Sequence, residues 1–179
     1  MIKLSEHFNL SEFTYSDTAK KYGVENNPTP IHLKTLIHTC NYCLEKLRAL
    51  LVAKYKTYKG SPVKNIYISI TSGYRSKTVN QLLKKEGYNP SETSQHCNGE
   101  AADIEVKIYT TDNIKIVMPY NELYQDIKSF VKNGQLSVDQ CIQEKQGSKM
   151  WVHISYSASG STKNRKQFLK YLNGKYTLD

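Results

Sequence analysis

No stretch of this chain is apolar for long enough to cross a membrane, and the opening "MIKLSEHFNLSEF" lacks the apolar run of a secretory signal. The expectation is a soluble protein made in the cytoplasm, without membrane insertion, whose action outside the membrane would need another route of export. Acidic residues are in short supply: 16 Asp and Glu against 25 Lys and Arg leave a net charge of +9. That surplus suits a polyanion such as nucleic acid, an anionic cell wall or an acidic lipid surface. The lysines are scattered rather than striped, however, which describes a solvated surface equally well. No RNA-binding or helix-turn-helix signature accompanies the charge, so nucleic acid is not the expected partner. Cys40 and Cys43 have CxxC spacing, but no second pair follows, and both sit within the helical pattern "HLKTLIHTCNYCLEKLRALL". A four-cysteine zinc site is therefore unsupported, and the thiols, with Cys97 and Cys141, read as packing residues in a reducing compartment.

Repeats, low-complexity tracts and linkers are also missing. The 179 residues, 39% of them hydrophobic, suit one folded domain over 1–179, with 1–28 as a polar, irregular lead-in in which "NLSEF" offers a short helix start at Ser11. Thr29 and Pro30 give a helix start, and Leu33, Leu36, Ile37, Cys40, Leu44, Leu47 and Leu51 continue it at helical spacing to about Ala53. "IYISIT" (66–71) alternates like a strand, "SKTVNQLLKKE" (76–86) reads as a helix and "YNPSETSQHCNG" (88–99) as a loop. "EAADIEVKIYT" (100–110) is the next strand, and "YNELYQDIKSFVKNG" (120–134) is an amphipathic helix stopped by glycine. "SVDQCIQEKQGSKMWVHISYS" (137–157) predicts a hairpin turning at Gly147, and "NRKQFLKYL" (164–172) a last short helix. The expected fold class is α+β: a small, mainly antiparallel sheet flanked by helices.

The chemistry gathers at "SQHCNGEAADIEV" and "MWVHISY". His96 stands seven residues before Asp103, on a strand, and His153 lies in the second arm of the hairpin. Singly, each has an ordinary reading as a surface histidine, a strand-end aspartate or a half-buried strand histidine. Together they make three ligands for Zn2+ and leave a fourth tetrahedral position open, the arrangement of catalytic rather than structural zinc. Such a zinc brings the pKa of a water to about 7 and polarises a carbonyl, which suits amide hydrolysis.

"TSGYRS" (71–76), "SQHCNGEAAD" (94–103) and "WVHIS" (151–155) occur in an order that resembles the zinc D-Ala-D-Ala carboxypeptidase family. "LSEHFNLSEF" and "TPIHLKTL" resemble the opening of its bacterial and phage branch, so the resemblance covers nearly the whole chain. It implies a hedgehog/D,D-peptidase-like fold, one Zn2+ on His96, Asp103 and His153, and cleavage of peptidoglycan stem peptides. The cleaving enzyme would be a D,D-carboxypeptidase or an endolysin-type endopeptidase reaching the wall by export or phage-assisted release. By the same resemblance Arg75 holds the substrate carbonyl and steadies the oxyanion. Ser94 either bonds substrate or orients its loop, and Trp151 packs beside the site, against substrate or in the core.

One position departs from the family pattern. Many members carry an acidic general base three residues before the last histidine, where this chain has Met150. Glu144 is the replacement, on a condition of register. If it faces Trp151 across the hairpin, it shares a face with His153 as a diagonal neighbour about 7–8 Å away. A slip of one residue would turn it to the opposite face. Glu100 and Glu105 are weaker candidates. The missing acid also permits a second reading, a silent zinc-containing module that only binds cell wall.

Overall fold

The computed structural model describes residues 2–88, 90–172 and 174–179. The lead-in is more ordered than its polarity suggests. Glu12 accepts a hydrogen bond from the Asn9 N–H at 2.7 Å and starts α1 (Leu10–Thr14); Ser16 caps α2 (Asp17–Tyr22) by accepting from the Ala19 N–H at 3.1 Å. Leu4, Phe8 and Phe13 are buried in the main core. α1 covers the expected helix start at Ser11, whereas α2, under two turns long, leaves no periodic trace in the sequence.

The long helix begins where expected, with the Thr29 hydroxyl accepting from the His32 N–H at 3.4 Å. It runs as α3 (Pro30–Thr39) and α4 (Glu45–Lys54), joined by a π-helical turn over Cys40–Leu44 in which the Glu45 N–H donates to the Cys40 carbonyl. There follow β1 (Thr57–Tyr58), β2 (Ser61–Ser72), α5 (Lys77–Lys85), α6 (Gln95–Asn98), β3 (Ala101–Thr110), β4 (Lys115–Val117) and α7 (Tyr120–Lys132). The chain closes with β5 (Gln140–Gln146), β6 (Lys149–Ser155), β7 (Gln167–Leu172) and β8 (Lys175–Leu178). Two expectations are corrected. Residues 95–98 of the expected loop form α6, too short for periodicity to reveal; Asn89 of that loop lies outside the described residues. "NRKQFLKYL" is not a helix: its residues 167–172 are strand β7, drawn into parallel pairing along β5, and tertiary pairing overrides a local helical spacing.

The strands form one sheet in the order β1-β2-β3-β6-β5-β7-β8, with β4 pairing beside β3; every pairing is antiparallel except β5 with β7. The fold is thus α+β as expected, with a larger sheet. Side chains alternate between its faces. One face presents Ile66, Ile68, Ile104, Val106, Ile108, Val152 and Ile154 to Leu44, Leu47, Leu51, Leu123 and Ile127 from the helices. The opposite face receives Asp103 from β3, His153 from β6 and Glu144 from β5.

Candidate metal centre and cleft

Strand register brings the site together. Asp103 pairs with His153, Ile142 with His153, and Glu144 with Trp151. Opposed residues project from the same face, so Asp103, His153, Ile142, Glu144 and Trp151 stand side by side. The register on which the Glu144 assignment depends is therefore the observed one, in a tight hairpin where Lys145 pairs with Met150 and Gln146 with Lys149. Met150 has the opposite parity and is 44% exposed.

His96 arrives from above the sheet, on α6. The Gly73 carbonyl accepts a hydrogen bond from His96 Nδ1 at 2.7 Å. A carbonyl only accepts, so Nδ1 carries the proton and Nε2 presents a bare lone pair. Gly73 is required here: a Cβ would lie 2.5 Å from Phe13 Cα and 2.6 Å from the Phe13 carbonyl oxygen. Gly99 ends α6 at φ +75°, and a Cβ there would meet the His32 carbonyl oxygen at 2.8 Å.

His96 Nε2 lies 3.1 Å from His153 Nδ1 and 3.3 Å from Asp103 Oδ1, and His153 Nδ1 lies 3.1 Å from Asp103 Oδ1. Three lone-pair atoms converge with at most one proton among them, on His153. Ligands bonded at about 2.0–2.1 Å in a tetrahedron stand about 3.3 Å apart, so these edges fit zinc. All three residues are buried, and among the described residues they form a group with metal-ligand geometry. Burial, aided by the Arg75 charge, lowers the His96 pKa to about 4 and keeps its imidazole neutral. Burial alone would disfavour the Asp103 charge, but the two imidazoles outweigh it and hold the carboxyl below its usual range. Both are the forms that ligate metal.

Around this centre, the Arg75 N–H donates to the His96 carbonyl at 3.2 Å, its guanidinium lies 3.7 Å from Asp103, and its buried Nε has no partner among the described residues. The Thr71 hydroxyl donates to the Asp103 carbonyl at 3.1 Å. Asn26 ties the lead-in to the Arg75 turn, donating to the Tyr74 carbonyl at 2.8 Å and accepting from the Ser76 N–H at 2.7 Å. Burial, then the Asp103 charge, pushes the Glu144 carboxyl up to about 7. Ser94 occupies the N-cap of α6 without a side-chain capping bond and faces the cleft, as does Trp151. The four cysteines are free thiols, with Cys40, Cys43 and Cys141 buried.

Two features escape sequence reading. Asp139 braces α6: buried, it accepts from Gln95 Nε2 at 2.8 Å and from the Arg165 backbone and Nε at 3.0 Å. No local pattern links residues so far apart in the chain. Tyr171 and Tyr176, on β7 and β8, also line the cleft, which measures about 1250 Å³. The Asn173-Gly174 pair between two alternating runs is the hairpin signal that could have found them.

A family model described as Peptidase M15 matches residues 6–119, a span that includes Arg75, Ser94, His96 and Asp103. His153 and Glu144 lie beyond that span and enter the site through strand register. No curated protein and no solved structure gives a match.

Proposed function

The chain belongs to the Peptidase M15 family, of the zinc D-Ala-D-Ala carboxypeptidase type, and from that premise we propose that it hydrolyses an amide bond in peptidoglycan stem peptides. The carrying observation is the triangle of His96 Nε2, Asp103 Oδ1 and His153 Nδ1, whose edges of 3.1–3.3 Å suit Zn2+. Zinc, when bound by these residues, supplies a Lewis acid for the substrate carbonyl and makes a water ionisable near neutral pH.

The remaining work falls to the chain. Gly73 fixes the His96 tautomer through its carbonyl, which turns Nε2 inward. Glu144, in place of the acid that Met150 replaces, takes the proton of the attacking water on a carboxylate oxygen and returns it to the leaving nitrogen. A carboxyl near 7 is matched to both tasks. Arg75, which lines the cleft with its guanidinium beside Asp103, meets the oxygen on which charge develops. Ser94 and Trp151, at the cleft surface, contact the bound peptide.

The test combines metal analysis of the parent chain and of His153→Ala with mass spectrometry of peptidoglycan fragments after incubation. About one zinc per chain, lost in the variant, with D-Ala released or a stem peptide cut, is the expected result. Zinc without cleavage would leave a wall-binding module, and absence of zinc after reloading would defeat the reading.

A further inference from the structure

The open face of the sheet continues beyond Glu144. Glu144 pairs with Tyr171 on β7, and Tyr171 pairs with Tyr176 on β8. A single cross-strand row therefore reads Trp151, Glu144, Tyr171, Tyr176, all four projecting from the side that carries the metal centre. The two tyrosine rings stand 4.6 Å apart and tilted by 45°, and both line the cleft. Tyr176 remains 58% exposed. A paired aromatic surface, open to water and in register with the general base, is placed to meet a ligand.

We propose that Tyr171 and Tyr176 form the wall that receives the amine-side part of the substrate and select which leaving group is accepted. The inference rests on the reading of Glu144 as the residue that protonates the leaving nitrogen. That nitrogen must then lie against the Glu144 carboxyl, so the group attached to it extends either back over the metal centre or outward across β7 and β8. The acyl side occupies the metal centre, where its carbonyl is polarised, so the leaving side runs outward over the tyrosines. Their ring faces suit apolar side chains and peptide planes, and their hydroxyls suit backbone carbonyls.

The experiment compares the parent chain with the double variants Tyr171→Ala/Tyr176→Ala and Tyr171→Phe/Tyr176→Phe. One arm measures turnover of matched acyl-dipeptides whose leaving residue is alanine or glutamate. The other titrates N-acetyl-D-alanyl-D-alanine and follows the emission of Trp151, the one tryptophan in the chain. The alanine pair should raise KM for the alanine substrate about tenfold, raise KM more than it lowers kcat, and shrink the preference for alanine over glutamate. The phenylalanine pair should retain most of the preference. If the double alanine variant does not fold, Tyr176→Ala alone, at a ring already mostly exposed, gives the same comparison.

The arms separate two failures. A zinc-loaded parent that cleaves no peptide defeats the proposed function, and binding then decides the wall. Affinity lost in the alanine pair and kept in the phenylalanine pair supports the proposal. Equal affinity in all three chains, or no binding by the parent, overturns it.

Discussion

The two faces of the central sheet are made from alternate residues of the same strands and follow different rules. On one, Ile104, Val106, Ile108, Val152 and Ile154 meet the leucines of α4 and the apolar stripe of α7. On the other, Asp103 and His153 are also buried yet polar, facing His96 on a four-residue helix, with His153 Nδ1 3.1 Å from Asp103 Oδ1 and His96 held by its hydrogen bond to the Gly73 carbonyl. Each apolar side chain on the packed face is stabilised by removal from water, whatever its exact orientation. The site face buries groups that are costly to bury, and orientation decides everything there. Changes on the packed face should therefore lower stability across the whole molecule, and changes on the site face should lower function locally.

Substitutions can break this contrast in order of effect. Glu144→Gln should cut turnover by about 10²–10⁴-fold while zinc content and melting temperature stay at parent values, read by peptide assay, metal analysis and calorimetry. Leu47→Ala, in the packed face, should cost about 2–5 kcal/mol in urea unfolding and leave the kinetics of the folded fraction unchanged. Gly73→Ala joins the two regimes. Its Cβ would collide with the Phe13 backbone and displace the carbonyl that orients His96, so zinc affinity should fall about 10–100-fold in a competitive chelator titration.

Asp139→Asn tests the brace under α6. Burial alone would raise the Asp139 pKa, but Arg165 and Gln95 outweigh it and hold the carboxyl below its ordinary value. A carboxylate depressed in the folded state stabilises above its unfolded pKa of about 3.9 and loses that contribution as pH falls through the folded value. The variant should be about 1–3 kcal/mol less stable at pH 7, and the gap should close as pH drops below about 4. Parallel urea titrations at neutral and acid pH would show it.

Some of this was legible in the sequence. Thr29 and Pro30 marked the long helix because capping is local chemistry. The placing of Glu144 opposite Trp151 followed from hairpin pairing around Gly147, which constrains every residue in both arms. What escaped was non-local or too short. β7 looks helical until β5 offers it an edge, and the misreading hid Tyr171 and Tyr176. α6 is one turn long, and the bonds from Gly73 to His96 and from Gln95 to Asp139 join residues that no periodicity relates.

The π-helical turn at Cys40–Leu44 carries a consequence for insertions and deletions. It holds one residue more than an α-helical turn would, and each residue of helix corresponds to about 100° of rotation. Upstream, Leu36 and Thr39 meet Gly99, the Thr39 hydroxyl donating to its carbonyl at 3.0 Å. Downstream, Leu47 and Leu51 fill the core. Deleting one residue from the turn would restore α-helical spacing and swing one group away from its seat by more than a quarter of a revolution. The extra residue thus acts as a phase adjuster, letting one helical rod address the neighbourhood of His96 at one end and the packed sheet at the other.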